Sequence, residues 1–305
     1  MPLHQTSGRW QLGLALSLLT VFLWGVLPIA LTVTLQVLDI YTVTWFRFLV
    51  AFGLLAIYLA VRQQLPQPQK LRSVIRLVVV AAIFLGLNYL FFLQGLAKTS
   101  PSNAEVLIQL SIVMFGLGAI AFFKERYTSS QWLGLAVLTL GFVLFFYEQL
   151  RGFITAPKTY IVGSGFLVLA ATLWAIYALV QKQLLQTLTS TSIMFFIYGG
   201  CTLLFSPLAT PYKVLTLSPL HAGMLLFSAL NTLLAYGAFA EALDHWEASR
   251  VSAVLALTPV VTLVAMRAVS LFMPTLIAPE HLTLLGIVGA VLVVSGCAAI
   301  ALGNR

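Results

Sequence analysis

Most charged residues lie in short gaps between ten long apolar stretches, and this spacing constrains the fold more than any other property of the sequence. Only 8% of the 305 residues are charged, whereas roughly 25% are charged in an ordinary soluble domain. Because about 20 apolar residues cross a bilayer as a helix, the pattern predicts an all-α integral membrane protein with ten transmembrane helices. The predicted spans are 11–34, 40–61, 75–96, 102–123, 131–148, 160–181, 190–209, 219–242, 249–272 and 282–302.

The second half of the chain repeats features of the first half. Trp24 lies in one apolar run and Trp174 lies in another 150 positions later, each directly after a leucine. Tyr89 aligns with Tyr236 at an offset of 147, and late glycines in the two halves align at an offset of 155. A long internal repeat in so apolar a chain is typical of carriers that are built from two halves around a central site.

The repeat divides the chain into two predicted domains of five spans each, residues 1–150 and 151–305. Because five is an odd number, the second domain is expected to enter the membrane from the opposite side, which gives two inverted five-helix repeats. With a cytoplasmic N-terminus, ten of the 16 basic residues lie on the inside, in loops, at the adjoining span ends or in the termini, and four lie in outside loops. This bias predicts a bacterial inner (plasma) membrane protein with both termini in the cytoplasm.

Several longer motifs carry a family resemblance. The first half contains LWG at 23–25, the step Phe46-Arg47-Phe48, QGLAKTSPSNA from Gln94 and KERYTSSQWLGLAVLTLG from Lys124; the second contains LWA, EALDHWEASRVSAVLALTPVV from Glu241 and EHLTLLGIVGAVLVVSG from Glu280. Over nearly the whole chain they resemble the EamA-domain permeases of the drug/metabolite transporter (DMT) superfamily. The resemblance implies a transporter with two five-span repeats.

The Thr258-Pro259 step has no Thr-Pro counterpart in the first half, so a kink in span nine need not have a partner in span four.

Arg47 is the most informative polar residue within the predicted spans. It lies eight positions into span two, where a charged side chain is costly unless it faces a cavity, a partner or water. We expect either that its guanidinium meets an anionic group such as a substrate carboxylate, or that it forms a structural ion pair with Glu105 or Asp39.

Span four begins with a cluster of polar residues. Glu105 and Gln109 are four positions apart and therefore lie on one face of the helix. Glu105 is the candidate for proton coupling, because a carboxyl group in a partly dry pocket exchanges protons when its pKa is raised. The alternative is that Glu105 caps or pairs locally near the outer surface. Gln109 and Asn88 are candidate polar groups of a substrate pocket.

Aromatic residues are the other candidates for the pocket. Trp24, Tyr89, Trp174 and Tyr236 come from four different spans, so they would suit either the walls of a pocket for a small amphipathic metabolite or ordinary core packing. What the two halves share is expected to form the scaffold. What they do not share, with Arg47 foremost, is expected to carry the function.

These features predict a non-enzymatic secondary transporter, with no catalytic residue, cofactor or metal site. The four histidines lack metal-ligand spacing, and no Walker A sequence is present. The chain is expected to export a small metabolite such as an amino acid by alternating access, with proton coupling if Glu105 takes that role. The alternatives are an organic-anion uptake or exchange carrier and a non-transporting membrane scaffold or sensor. The predicted partners are a small-molecule substrate and the lipid bilayer, without nucleic acid, and a monomer is compatible with this architecture.

Overall fold

A computed structural model describes residues 6–64, 66, 68–99, 101–125, 127–145, 147, 158–272 and 284–302. Within these ranges the protein forms eleven α-helices and one short 3₁₀-helix, with no β-strand. The α-helices, in order from α1 to α11, are Trp10–Thr34, Ile40–Val61, Pro68–Lys98, Pro101–Phe123, Ser129–Phe145, Lys158–Leu184, Ser190–Phe205, Pro219–His245, Ala248–Leu255, Thr258–Phe272 and Leu284–Leu302. The 3₁₀-helix, Pro211–Thr216, lies between α7 and α8.

Seven apolar helical segments of the described chain are long enough to cross a membrane, and three shorter apolar helices accompany them. The chain is therefore an all-helical, multi-pass membrane protein. Helix α3 differs from the predicted span three, because it begins at Pro68 rather than at residue 75. Proline suits the first turn of a helix, where its missing N–H has no partner to lose. Part of the segment between predicted spans two and three is therefore helical.

Predicted span nine is not one helix but two, α9 and α10, which are separated at Ala256 and Leu257. The break follows from Pro259, which has no N–H to donate to the carbonyl of Leu255 four positions earlier. The hydroxyl of Thr258 donates to that carbonyl instead, at 2.6 Å. Helix α4, in which Ile112 occupies the position aligned with Pro259, is continuous. The predicted kink is thus a full break, and it is confined to the second half.

The helices pack in pairs that correspond between the two halves. Helix α1 packs against α8, and α6 packs against α3. Helix α4 contacts α6, while α9 and α10 contact α1. Helix α2 packs against α7 and α5 packs against α11. The contacts of α2 with α7 and of α5 with α11 join helices at equivalent positions in the two halves. The contact of α1 with α8 corresponds to that of α6 with α3, and the contact of α4 with α6 corresponds to that of α9 and α10 with α1.

Polar contacts mark the two ends of the bundle. At the Asp39 end, the Asp39 carboxylate accepts hydrogen bonds from Thr42 and Thr210, and the Lys213 ammonium lies 3.3 Å away. At the Glu125 end, the Glu125 carboxylate lies 3.2 Å from the Lys182 ammonium. Helices α1, α3 and α7 run from the Glu125 end to the Asp39 end, and α2, α4, α6 and α8 run in the opposite direction.

Glycines let α5 and α11 pack backbone against backbone. A Cβ atom on Gly141 would lie 2.6 Å from the backbone nitrogen of Val293, and one on Gly296 would lie 2.6 Å from the carbonyl oxygen of Gly134. Such close approach is a usual source of helix association in a membrane, where apolar burial against lipid gives little driving force. The pair joins the last described helix of each half.

Candidate functional site

A cavity of about 100 Å³ lies among α1, α2, α3, α4, α6, α8 and the start of α10. Roughly 10–15 Å³ of such space holds one water molecule, so the cavity has room for a small metabolite. It extends from the middle of the bundle toward the Asp39 end. All seven predicted substrate residues line it, namely Trp24, Arg47, Asn88, Tyr89, Gln109, Trp174 and Tyr236.

Arg47 is buried, with 3% of its surface exposed, and lies on the wall of this cavity. Its Nε donates to the hydroxyl of Thr232 at 3.0 Å and to the carbonyl of Ser228 at 3.3 Å. Its guanidinium carbon lies 4.4 Å from the centre of the Tyr89 ring, and its terminal nitrogen is 3.4 Å from the Tyr89 hydroxyl. Among the described residues, these partners are neutral oxygens and an aromatic face, so they orient the guanidinium without neutralising it.

Asp39 is not the partner of Arg47, and the expectation of an ion pair between them is wrong. Its carboxylate caps α2 by accepting from the amide of Thr42 and is held by Thr210 and Lys213 as well. Burial raises the pKa of Asp39, but these donors outweigh it and keep the pKa below its ordinary value. The other expected partner, Glu105, lies on helix α4, and its side chain is outside the described residues.

The two candidate amides differ in their hydrogen bonding. Asn88 donates from Nδ2 to the carbonyl oxygen of Ala170 at 2.9 Å, which ties α3 to α6. Gln109 is also buried, yet its Oε1 has no hydrogen-bond partner within the described part of the chain. An unpaired buried acceptor is costly, so Gln109 is the more informative of the two.

Aromatic side chains form the floor of the cavity on the side of the Glu125 end. The Trp24 ring lies 5.0 Å from the Tyr236 ring and 5.6 Å from the Trp174 ring, centre to centre. Below them, Phe239 packs 5.3 Å from Trp174 and 5.9 Å from Phe115. The floor contains Trp24 and Trp174, the pair that the repeat relates, so each half of the chain contributes to it.

Apolar and hydroxyl residues complete the lining beside the seven predicted substrate residues. The additional lining residues are Leu27, Pro28, Leu31, Phe92, Ile108, Ser111, Ile112 and Thr258. Three of these residues could have been predicted from their spacing in the sequence. Leu27, Pro28 and Leu31 follow Trp24 at three, four and seven positions, which is the spacing of one helical face.

The Glu125 cluster, consisting of Glu125, Lys182, Ala248 and Ser249, joins three elements at the Glu125 end. Besides meeting Lys182, the Glu125 carboxylate accepts hydrogen bonds from the amides of Ala248 and Ser249, each at 3.0 Å. It therefore caps the N-terminus of α9, where a negative charge is stabilising. Burial raises the pKa of Glu125, but Lys182 and the Ser249 amide more than offset this and hold the pKa below its ordinary value. The sequence motif around Glu125 did not predict this contact.

A second polar group at the same end consists of Glu241, Asp244 and His245, whose potential ligand atoms lie within 4.8 Å of one another. The ring nitrogens of His245 already contact the hydroxyl of Ser7 and the carboxylate of Glu241, and Glu241 also accepts from Ser190. A metal ion would have to displace these contacts. The group is therefore better described as the attachment of the N-terminal segment to the end of α8.

Comparison with known proteins agrees with this architecture. The family model described as "EamA-like transporter family" matches residues 11–147 and 161–302. The chain is 38% identical to the "Uncharacterized inner membrane transporter YhbE" of Escherichia coli (strain K12) over 96% of its own length and 92% of the relative's. It is 34% identical to an "Uncharacterized transporter" of Haemophilus influenzae, with 96% of both chains covered.

A solved crystal structure resembles the fold as well. It superposes with a TM-score of 0.70 over 96% of this chain and 99% of the other, at 15% sequence identity. At that identity the likeness supports the fold alone. The family match, in contrast, spans both halves of the sequence and accompanies relatives that are named as transporters. The chain belongs to the EamA-like transporter family.

Proposed function

We propose that the protein is a secondary transporter that exports a small metabolite, such as an amino acid, across the inner membrane by alternating access. The observation that carries the proposal is the small cavity in the middle of the bundle, which is lined by both halves of the chain and contains buried Arg47. Concave, mostly apolar sites with a few convergent polar groups suit small ligands. In carriers such sites lie near the bilayer midplane between repeats.

The helix pairs support inverted five-helix repeats, with residues 1–150 and 151–305 as the two domains. In such repeats, a contact between the first helix of one half and the third helix of the other should occur twice. The contacts of α1 with α8 and of α6 with α3 are this pair. The halves begin at opposite ends of the bundle, since α1 starts at the Glu125 end and α6 starts at the Asp39 end. With a cytoplasmic N-terminus, the Glu125 end faces the cytoplasm.

Alternating access is supported by the difference between the two ends. The cavity lies toward the Asp39 end, whereas the aromatic floor and the Glu125 cluster separate it from the Glu125 end. In this orientation the conformation is closed toward the cytoplasm. Opening there requires the end of α6 and the start of α9 to separate from Glu125, which breaks the ion pair and both amide contacts.

Proton coupling through Glu105 remains part of the proposal. Its position on α4 is one helical turn from Gln109, which lines the cavity. Exchange of Glu105 for glutamine would remove the titrating proton while keeping a similar size. We expect that transport by the Glu105→Gln variant no longer responds to an imposed pH gradient, and unchanged dependence on that gradient would remove Glu105 from this role.

A second candidate function, uptake or exchange of organic anions, is favoured by Arg47. Its described partners do not neutralise it, and an arginine fork matches the geometry of a carboxylate. Arg47→Ala should abolish transport of a carboxylate solute. Arg267→Ala is the matched control, because Arg267 is exposed on α10 and does not line the cavity. Unchanged carboxylate transport by Arg47→Ala would eliminate the anion role.

The alternative of a non-transporting scaffold or sensor is less well supported by the placement of the candidate residues. Such a protein has no need for Arg47, Gln109 and Trp174 to converge on one cavity, as they do. The decisive experiment is a comparison of metabolites released by cells with and without the protein, followed by assay of the released solutes in reconstituted vesicles. A carrier releases a defined set of solutes, and failure to move any of them under any gradient would favour the scaffold.

A further inference from the structure

The strongest unexplained feature of the cavity is the side-chain oxygen of Gln109. The residue is 5% exposed and lines the cavity, and its Oε1 has no hydrogen-bond partner within the described ranges. Leaving a buried acceptor unpaired costs about 1–3 kcal/mol. A group retained at that cost in a ligand-sized cavity is a candidate for pairing with the ligand itself.

The side chains of Asn88, Ser111 and Thr258, which also line the cavity, already donate hydrogen bonds inside the protein. Asn88 donates to the Ala170 carbonyl. The hydroxyls of Ser111 and Thr258 donate to carbonyls of their own chain segments, those of Ile108 and Leu255. The Asn88 bond joins α3 to α6, the Ser111 bond lies within α4, and the Thr258 bond lies at the break between α9 and α10. Gln109, in contrast, presents an acceptor that no described side chain satisfies.

We propose that Gln109 determines specificity, with its Oε1 accepting a hydrogen bond from an N–H or O–H group of a solute whose anionic group binds Arg47. This inference rests on the proposed transport function and narrows its substrate class. The preferred solutes are small amino acids or hydroxy acids. A plain carboxylate of the same carbon skeleton would bind Arg47 but leave Oε1 unpaired.

The size of the preference follows from the unpaired acceptor. A site built to bond a substrate N–H or O–H rejects the analogue that lacks it, because the buried partner is then left alone. Since 1.4 kcal/mol corresponds to a factor of ten, a cost of about 1–3 kcal/mol predicts that donor-bearing solutes bind roughly 5- to 150-fold more tightly than their matched analogues.

The test measures binding of matched solutes to the purified full-length protein by calorimetry, which avoids passive leakage of weak acids through vesicles. The panel comprises alanine, leucine and phenylalanine, each with its 2-hydroxy acid and with the carboxylic acid that lacks the 2-substituent. The wild type should prefer the amino or hydroxy acid of at least one skeleton by about fivefold or more. Gln109→Met, which keeps the volume but removes the acceptor, should bring that preference close to one.

Gln181→Met is the matched control. Gln181 is also buried and its Oε1 is also unpaired in the described chain, but it packs against Met194 and does not line the cavity. The control should keep the wild-type preference. An unchanged preference in Gln109→Met, or an equal loss in both variants, would overturn the assignment. If no member of the panel binds, the substrate class is wrong, whereas the transport proposal is judged separately by the metabolite release experiment.

Discussion

Asn88 and Gln109 are both buried amides on the cavity wall, but their hydrogen bonds predict different consequences of substitution. Asn88 joins α3 to α6 through the Ala170 carbonyl. Asn88→Leu should therefore lower the free energy of unfolding by about 0.5–1.5 kcal/mol, the usual net value of one hydrogen bond. Thermal unfolding in detergent measures this loss. A changed solute preference at unchanged stability would instead place Asn88 among the binding residues.

A cavity residue could be predicted from the sequence where its residue type is unusual within a membrane span or where the repeat marks it. Arg47, Gln109 and Asn88 stand out because polar groups are costly in hydrocarbon. Trp24 and Trp174 stand out because the repeat pairs them. This pair both packs together and lines the cavity, so residues that the two halves share contribute to the scaffold and to the cavity wall. Apolar lining residues carry no such mark, because any span contains many.

The ion pair of Glu125 with Lys182 could not be predicted from the sequence. The two residues are 57 positions apart, and each is adjacent to the end of an apolar helix, where charges are expected for topological reasons alone. Only the packing of the end of α6 against the segment after α4 reveals that the Lys182 side chain is buried and that the Glu125 side chain is only 10% exposed. The pairing is therefore a property of tertiary structure.

At the scale of elements, the break between α9 and α10 shows which local signals are reliable. The proline at position 259 predicts a bend from chemistry that is local to the chain. The sequence does not predict that the bend becomes two separate helices, because that outcome also depends on Thr258 taking over the Leu255 carbonyl. The result places Thr258 on the cavity wall, so the break shapes the site directly.

The contact of α5 with α11 gives a prediction about helix packing. A Cβ atom on Gly289 would lie 2.6 Å from the Cα atom of Phe145 and 2.7 Å from the carbonyl oxygen of Gly141. Gly289→Ala should therefore force the helices apart and destabilise the protein by about 1–3 kcal/mol. Thermal unfolding in detergent is the measurement.

Gly53→Ala is the control for this substitution. Gly53 lies within α2, and a Cβ atom there would meet nothing within 4 Å. Alanine is favoured over glycine in a helix interior by about 0.5–1 kcal/mol, so this variant should be slightly more stable than the wild type. Equal effects at the two glycines would contradict the close packing of α5 with α11.

The Glu125 cluster predicts a pH-dependent contribution to stability. Glu125→Gln leaves the buried Lys182 ammonium without its carboxylate and should destabilise the protein by about 3–5 kcal/mol at neutral pH. Because the pKa of Glu125 is held below its ordinary value of 4.5, the wild-type advantage is fully present above pH 4.5. It is lost as the pH falls through the lowered pKa. The measurement is the difference in unfolding temperature between wild type and variant across pH.

Asp39→Asn provides the comparison at the opposite end of the bundle. The ion pair of Asp39 with Lys213 is more open, with 33% and 40% of the side chains exposed, and exposed pairs contribute about 0–1 kcal/mol. Asparagine also remains a good helix cap. This variant should therefore have a much smaller effect at neutral pH. If it matched Glu125→Gln, burial would not explain the strength of the Glu125 cluster.

At the scale of the whole molecule, the internal repeat is a stronger predictor of architecture than any single motif. The apolar stretches correctly anticipate an all-helical membrane protein, and the repeat agrees with the packed pairs α1 with α8 and α3 with α6, each of which joins the first helix of one half to the third helix of the other. The pairing of particular helices depends on where small and large side chains meet across the bundle. These side-chain contacts form only in the folded protein, so the sequence alone does not predict which helices pair.

The proposed inverted orientation of the two halves gives the last prediction. The offset of 150 that aligns Trp24 with Trp174 also aligns Arg9 with Thr159, and both of these residues are exposed at the start of their halves. Inverted repeats place equivalent positions on opposite sides of the membrane, whereas parallel repeats place them on the same side. Arg9→Cys should therefore react with a membrane-impermeant maleimide only in inside-out vesicles, and Thr159→Cys only in spheroplasts. The wild type serves as the blank, because Cys201 and Cys297 are buried. Labelling of both variants from one side would exclude the inverted arrangement, and exchanged sides would preserve it while reversing the proposed orientation of the cavity.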